Sequence, residues 1–195
     1  MDELSQLLNV NRDNPPDPLE LCLPLDRALD AVWCKGVSSS ILKNQPWTVK
    51  IATQELGKFL PDKTGLYMFV WRCLFPMPTV DHKDHKFRYV LYVGKAGGEG
   101  NQSNLQERYI NGYAKLIGAY PSDIWKRDAT ERDEVLRRFL AMKDLEFWYL
   151  EIGNVALIDP HEQTLIKLFN PPGNTQHVKS KKSLVGKIQQ AIPAF

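Results

Sequence analysis

The segment E-Q-T-L-I-K-L-F-N-P-P-G-N, residues 162–174, decides how this chain is read. Glu162, Leu165 and Phe169 recur at helical spacing and fall on one face. A helix starting at Asp159-Pro160 accounts for the pattern, with Asp as cap and Pro in the first turn. It ends near Asn170, because Pro171 and Pro172 cannot continue it. Glu162 therefore stands beside the core-facing side, where a bare carboxylate is costly without a partner. Two readings stay open at this point. Asp159-x-x-Glu162 is close to a capping box, so the carboxylate could serve only the helix N-terminus. Alternatively, a metal ion or a cationic site relieves the cost.

Upstream, two stretches read as strands. Residues 65–74, G-L-Y-M-F-V-W-R-C-L, are rich in aromatic and β-branched types, as are residues 87–94, F-R-Y-V-L-Y-V-G. Both are apolar on each side, which predicts a sheet covered on both faces. The polar loop between them, with its two prolines, makes an antiparallel hairpin the simplest connection. A Gly-rich turn follows, then a helix from about 104 with Leu105, Tyr109, Tyr113 and Leu116 on one face. A charged helix is expected at about 129–143 and a third strand at 145–152.

Earlier in the chain, Leu25, Ala28, Leu29 and Val32 predict a helix at about 25–35 with Gly36 as its stop. Thr48 to Gln54 fits a short strand or a helix start. A last short helix is expected at about 183–191. The order of elements gives an α/β (α+β) domain with a small, mostly antiparallel three-stranded sheet flanked by helices. The organisation expected is an N-terminal extension over 1–60, a core over 61–176 and a basic tail over 177–195.

Composition narrows the classes. The chain has 195 residues, 43% hydrophobic and 25% charged, which is ordinary for one soluble globular domain with an extension. Its net charge of +2 excludes a general polycation, so any nucleic-acid surface must come from local clustering. Lys179, Lys181, Lys182 and Lys187 form one such cluster, or a merely solvated end. Cys22, Cys34 and Cys73 make no metal or disulfide pattern and point to reduced thiols. The acidic N-terminus lacks signal-peptide character, and no apolar run reaches membrane-spanning length. A cytoplasmic protein with no membrane association is expected. The glycines at 94, 97, 98 and 100 match neither a dinucleotide-binding nor a nucleoside-triphosphate loop.

Gly65-Leu66-Tyr67, then Tyr92-Val93-Gly94-Lys95, Arg108 on the next helix, and Glu162 with Asn174 twelve residues later follow in a fixed order. In that order they resemble the GIY-YIG nuclease superfamily, over about residues 60–176. The resemblance implies metal-assisted phosphodiester hydrolysis. It implies that Tyr67 helps deprotonate the attacking water, Tyr92 orients the scissile phosphate and Arg108 binds it. It further implies that Glu162 holds one divalent cation, Mg²⁺ or Mn²⁺ in its place, and that Asn174 helps order the site. The residue types suit that chemistry. A guanidinium can take two phosphate oxygens at once. One carboxylate with solvent suits Mg²⁺. A tyrosine, with an ordinary pKa of about 10, must be perturbed to act as a base, and Lys95 is the candidate for that or for donating to phosphate.

Each residue also has a plainer reading. Tyr67 and Tyr92 taken singly would be core residues, and Arg108 could pair with Glu107 or Asn111 on a helix surface. The sequence departs from the family pattern in three places. Where many members carry His or Tyr four residues after the arginine, this chain has Gly112 and then Tyr113, an accessory candidate if the helix shifts locally. The 68–91 gap between the first two motifs is long, as in the small type II restriction endonucleases of the superfamily, and Leu66 replaces the usual Ile. Asp81, His82, Asp84 and His85 within that gap could clip a metal, but the default is a solvated loop. The expected activity is a Mg²⁺-dependent DNA endonuclease, homodimeric at least on DNA, with Lys179, Lys181 and Lys182 contacting DNA. The alternative is a binding module on the same scaffold with little or no turnover.

Overall fold

The computed structural model describes residues 29–73, 77–78, 84–85, 87–100, 102–119 and 132–174. In chain order the helices are α1 (Ala31–Val37), α2 (Leu105–Gly112), α3 (Arg132–Leu140) and α4 (Ile158–Phe169). The strands are β1 (Thr48–Ile51), β2 (Gly65–Arg72), β3 (Met77–Pro78), β4 (Asp84–His85), β5 (Arg88–Ala96) and β6 (Leu145–Glu151).

Four strands make the main sheet, in the order β1-β6-β2-β5, and every pairing is antiparallel. The expected hairpin is present: β2 and β5 pair from Gly65↔Ala96 to Arg72↔Arg88. Within the long connection β3 and β4 form a second, two-residue ladder. The three-strand expectation needs correction. Residues 48–51 are a fourth strand on the open side of β6. The sequence T-V-K-I is too short and too exposed to announce itself; the unpaired edge of β6 makes it a strand.

The two faces of β2 differ. Tyr67 and Phe69 join Tyr92, Tyr109, Tyr113 and Phe147 in an aromatic cluster beneath α2 and α3. Leu66, Met68 and Val70 join Val93 and the α4 residues Ile158, Leu165 and Ile166 in an aliphatic cluster. Residues 65–70 are buried throughout, as a strand covered on both sides must be. A bulge interrupts the ladder between Phe69 and Val70, with Leu91 as the extra residue opposite.

The N-terminal part enters this core. Asp30 caps α1 by accepting from the Trp33 amide at 2.9 Å. The helix does not stop at Gly36 but runs through Val37 into a wider π turn, Ser38–Lys43. Ile41 is buried there, and Val37, Leu42 and Trp47 pack on the aliphatic cluster. The expected helical face fares differently, since Leu29 and Val32 are exposed. Residues 25–28, the helix expected at 183–191, and the lysines at 179, 181, 182 and 187 lie outside the described residues. No helix among the described residues is long and apolar enough to cross a membrane.

Candidate active site

The strand pair β2–β5 sets the first two positions. Tyr67 lies directly opposite Gly94, and Phe69 opposite Tyr92. Strand neighbours in register share a face, so Tyr67, Tyr92 and the bare α-carbon of Gly94 look the same way. A β-carbon at Gly94 would stand 2.5 Å from the Tyr67 hydroxyl oxygen. The glycine of Y-V-G-K therefore makes room for the ring of the G-L-Y tyrosine. This ties two motifs far apart in sequence into one packing unit. Tyr67 is 1% exposed, yet its hydroxyl is satisfied by a 2.7 Å hydrogen bond with the Tyr113 hydroxyl.

Helix α2 supplies that partner by ending where it does. Asn104 and Glu107 form a complete capping box at its start. Its last residue is Gly112, and Tyr113 leaves helical geometry with φ −133°. The Tyr113 amide still donates to the Tyr109 carbonyl, at 2.9 Å. Its side chain turns into the aromatic cluster and meets Tyr67 there. Tyr113 thus meets Tyr67 because the helix stops at Gly112.

Arg108, one turn earlier, brings its guanidinium to the Tyr67 hydroxyl, and Tyr113 and Tyr92 also lie within its electrostatic reach. Glu107 is occupied by the capping box, so the surface pair Arg108–Glu107 does not form. Burial pushes the Tyr67 hydroxyl's pKa up, and Tyr92 adds to the rise. The bond to Tyr113 and the charge of Arg108 pull it back only in part. Lys95 is not among the groups acting on Tyr67. The cation that acts on Tyr67 is Arg108.

Lys95 belongs to the opposite face. It lies across from Leu66, on the side covered by α4. There its ammonium is hydrogen-bonded to Asp159 and stands 3.6 Å from Glu162. The expected cap is also corrected. Asp159 lies inside α4, which is entered from a 3₁₀ turn over Val155–Leu157 and has Leu157 at its cap position with no side-chain bond. Without an Asp159 cap there is no capping box for Glu162 to complete. The two prolines end α4, and Asn170, a residue type that tolerates the left-handed conformation, caps it at φ 45°.

Glu162 is 14% exposed at its side chain. Burial raises its pKa above the ordinary carboxylate range, against the opposing pull of Lys95 and, more weakly, Arg108. Its surroundings thus disfavour the charge that a cation would stabilise. Arg108 is among the charges that act on Tyr67 and, most weakly of those named, on Glu162.

Asn174 is placed at that same edge. Its side chain accepts from the Val93 amide at 2.9 Å and donates to the Val93 carbonyl at 2.8 Å. Gly173 adds a bond from its amide to the Leu91 carbonyl, at 2.8 Å. Asn174 therefore fixes the backbone one residue from Tyr92 and from Gly94.

Tyr67, Tyr92, Arg108, Tyr113, Lys95, Glu162 and Asn174 are thus gathered around one end of β5. Lys179, Lys181, Lys182, Asp81 and His82 lie outside the described residues, and the side chains of Asp84 and His85 are likewise not described. No group of three or more His, Cys, Asp or Glu that could hold a metal occurs among the described residues. What the site offers a cation is the Glu162 carboxylate and solvent, with Asp159 nearby but bonded to Lys95. That donor set fits Mg²⁺ or Mn²⁺, which keep several waters, and not a tetrahedral Zn²⁺. Sequence reasoning missed Asp159 as a member of this group. The signal was its i, i+3 spacing from Glu162 together with a strand lysine available to both. Comparison with protein-family models, with curated proteins and with solved structures gives no match to this chain.

Proposed function

We propose that this chain is a divalent-metal-dependent endonuclease that hydrolyses DNA phosphodiester bonds, resembling the small restriction enzymes of the GIY-YIG superfamily. The observation that carries the reading is the pairing of the Tyr67 and Tyr113 hydroxyls on one face of the β2–β5 pair and of Lys95 with Glu162 on the other, with Asn174 bonded to the β5 backbone. In this reading Arg108 receives the scissile phosphate through its planar fork. Tyr92 orients that phosphate, and Asn174 holds the strand that carries Tyr92. Tyr67, once it has lost its own proton to solvent, takes a proton from the attacking water as a phenolate, with Tyr113 as its hydroxyl partner. Proton transfer through such a pair requires that the Tyr67 pKa, raised in the free protein, fall when substrate and metal arrive. Glu162 would hold the cation, which when bound would supply Lewis-acid stabilisation of the leaving oxygen. DNA is the partner, the cytoplasm the setting, and a homodimer on DNA the arrangement that cuts both strands of a symmetric target.

One observation favours a second reading, a DNA-binding module with little turnover. Tyr67 is buried, and its surroundings push it away from the ionised form. Incubating purified protein with supercoiled DNA, with and without Mg²⁺, separates the two. Nicked or linear product that requires Mg²⁺ supports the enzyme. Gel-shifted but intact DNA, whether or not Mg²⁺ is present, supports the module.

A further inference from the structure

Asp159 and Glu162 share one cation, and they share it unequally. Both carboxylates project from the first turns of α4 toward Lys95. The ammonium is bonded to Asp159 and stands 3.6 Å from Glu162. Charge attraction alone predicts the reverse. Glu162 is the more buried of the two, 14% exposed against 37%, and a charge pair is stronger where less water screens it. Something must therefore fix Asp159 as the preferred partner.

The loop after β5 does so. Gly97 and Gly98 adopt positive φ, 84° and 107°, which folds the loop back over α4. A β-carbon on Gly98 would come within 2.7 Å of the Asp159 carboxylate oxygen, so that carboxylate lies directly against the glycine backbone. The Glu99 amide donates to it as well. Asp159 is thus held by a lysine, a backbone amide and a close glycine contact, while Glu162 has the longer of the two ion pairs to that lysine, at 3.6 Å.

We infer that Asp159 is a positioning residue: it holds the Lys95 ammonium back from Glu162 and so keeps that carboxylate open to a divalent cation. The inference rests on the nuclease reading only in assigning the cation to Glu162. Without Asp159, Lys95 closes on the half-buried carboxylate and competes with the metal for it. Held by Asp159, the same ammonium remains at the rim of the site, where it balances charge without occupying the ligand.

The test measures Mn²⁺ binding to the DNA-free protein by electron paramagnetic resonance, in the wild type and in Asp159→Asn, Lys95→Met, Asp159→Asn/Lys95→Met and Glu162→Gln. Asp159→Asn should weaken Mn²⁺ binding by roughly tenfold or more, the usual loss when a residue supporting a metal ligand is removed. Adding Lys95→Met to it should restore the affinity, because the competitor is gone. Lys95→Met alone should bind at least as tightly as the wild type, which keeps the test alive should Asp159→Asn fold poorly. Weaker binding by Lys95→Met, or a double variant as weak as Asp159→Asn, would overturn the inference and make the pair structural or ligating. Wild-type affinity in Asp159→Asn, with affinity lost in Glu162→Gln, would overturn it and leave the nuclease reading standing. Wild-type affinity in Glu162→Gln would remove both.

Discussion

Glu146 is a buried carboxylate and Glu162 a half-buried one on the α4 side of the sheet, and their surroundings differ in kind. Glu146 lies on β6 at the end of the sheet where β2 and β5 pair through Arg72 and Arg88. It receives Arg88 Nε at 2.9 Å and Nη2 at 3.4 Å on its two oxygens, and the Trp148 indole N–H at 2.9 Å. Glu162 stands at the other end, with one ammonium at 3.6 Å. The first carboxylate is matched by a bidentate cation and a further donor, which is how a structural charge is buried. The second is desolvated and only loosely matched, with its pKa raised by burial. Perturbed groups of that kind cluster where chemistry is done. The contrast separates scaffold from site more sharply than burial alone.

The most direct way to break the contrast is to neutralise both carboxylates. Glu162→Gln should abolish Mg²⁺-dependent cleavage in a plasmid assay while the thermal midpoint holds or rises. The sign follows from linkage. A carboxylate with a raised folded pKa favours folding while protonated, and that advantage is lost as pH rises through the folded pKa. Above that range the wild type carries the cost of a desolvated charge, which Gln avoids. The midpoint gap between the two proteins should therefore widen as pH rises past the ordinary carboxylate range and then level off. A collapse of folding together with cleavage would make Glu162 structural, like Glu146.

Arg108→Lys tests the same end of the sheet through its cation. Lysine keeps the charge but not the two-pronged fit, so single-turnover cleavage should fall by about two orders of magnitude. An unchanged rate would remove Arg108 from the site. Gly94→Ala probes packing rather than charge. The new methyl meets the Tyr67 ring and hydroxyl at 2.5 Å, so stability should drop by about 2 kcal/mol in urea unfolding. Cleavage should fall with it, because the displaced hydroxyl is the one bonded to Tyr113.

At the other end, Glu146→Ala should cost about 2 kcal/mol, since it strands the Trp148 N–H and half-exposed Arg88. The cleavage rate per folded molecule should be unchanged, and a loss of rate would erase the distinction between the two ends. The smallest effect is expected outside the described residues. Neutralising Lys179, Lys181 and Lys182 should leave cleavage chemistry intact and flatten the salt dependence of DNA binding, by roughly 0.9 units of slope for each phosphate no longer neutralised. An unchanged slope would mark the segment as a solvated end.

Much of this arrangement is legible in the sequence because it depends on local chemistry. The strands at 65–72, 88–96 and 145–151 declare themselves by aromatic and β-branched runs, and α4 ends where Pro171 and Pro172 require. The burial of Glu162 follows from its helical spacing with Leu165 and Phe169. What was not legible depends on tertiary partners. Strand β1 exists because β6 has an edge to fill. Asp159, read as a cap from the Asp-Pro pair, is bound instead by a lysine 64 residues earlier. Tyr113 stands on the apolar face that its helical spacing with Leu105 and Tyr109 predicts, but its bond to the Tyr67 hydroxyl depends on the turn at the helix end.

Asn174 also matters for how this sheet meets other chains. By offering an acceptor and a donor to the Val93 peptide, its side chain mimics a neighbouring strand, and Gly173 extends the imitation to Leu91. The outer edge of β5 is thereby plugged by a side chain rather than by another strand. Strand β1 has no such plug among the described residues, and it leaves Val49 and Ile51 exposed. Among the described residues, one edge of the sheet thus has backbone groups covered by a side chain and the other has none, and a covered edge offers an incoming strand fewer free partners. Asn174→Ala, which uncovers the Val93 peptide, should therefore be less soluble.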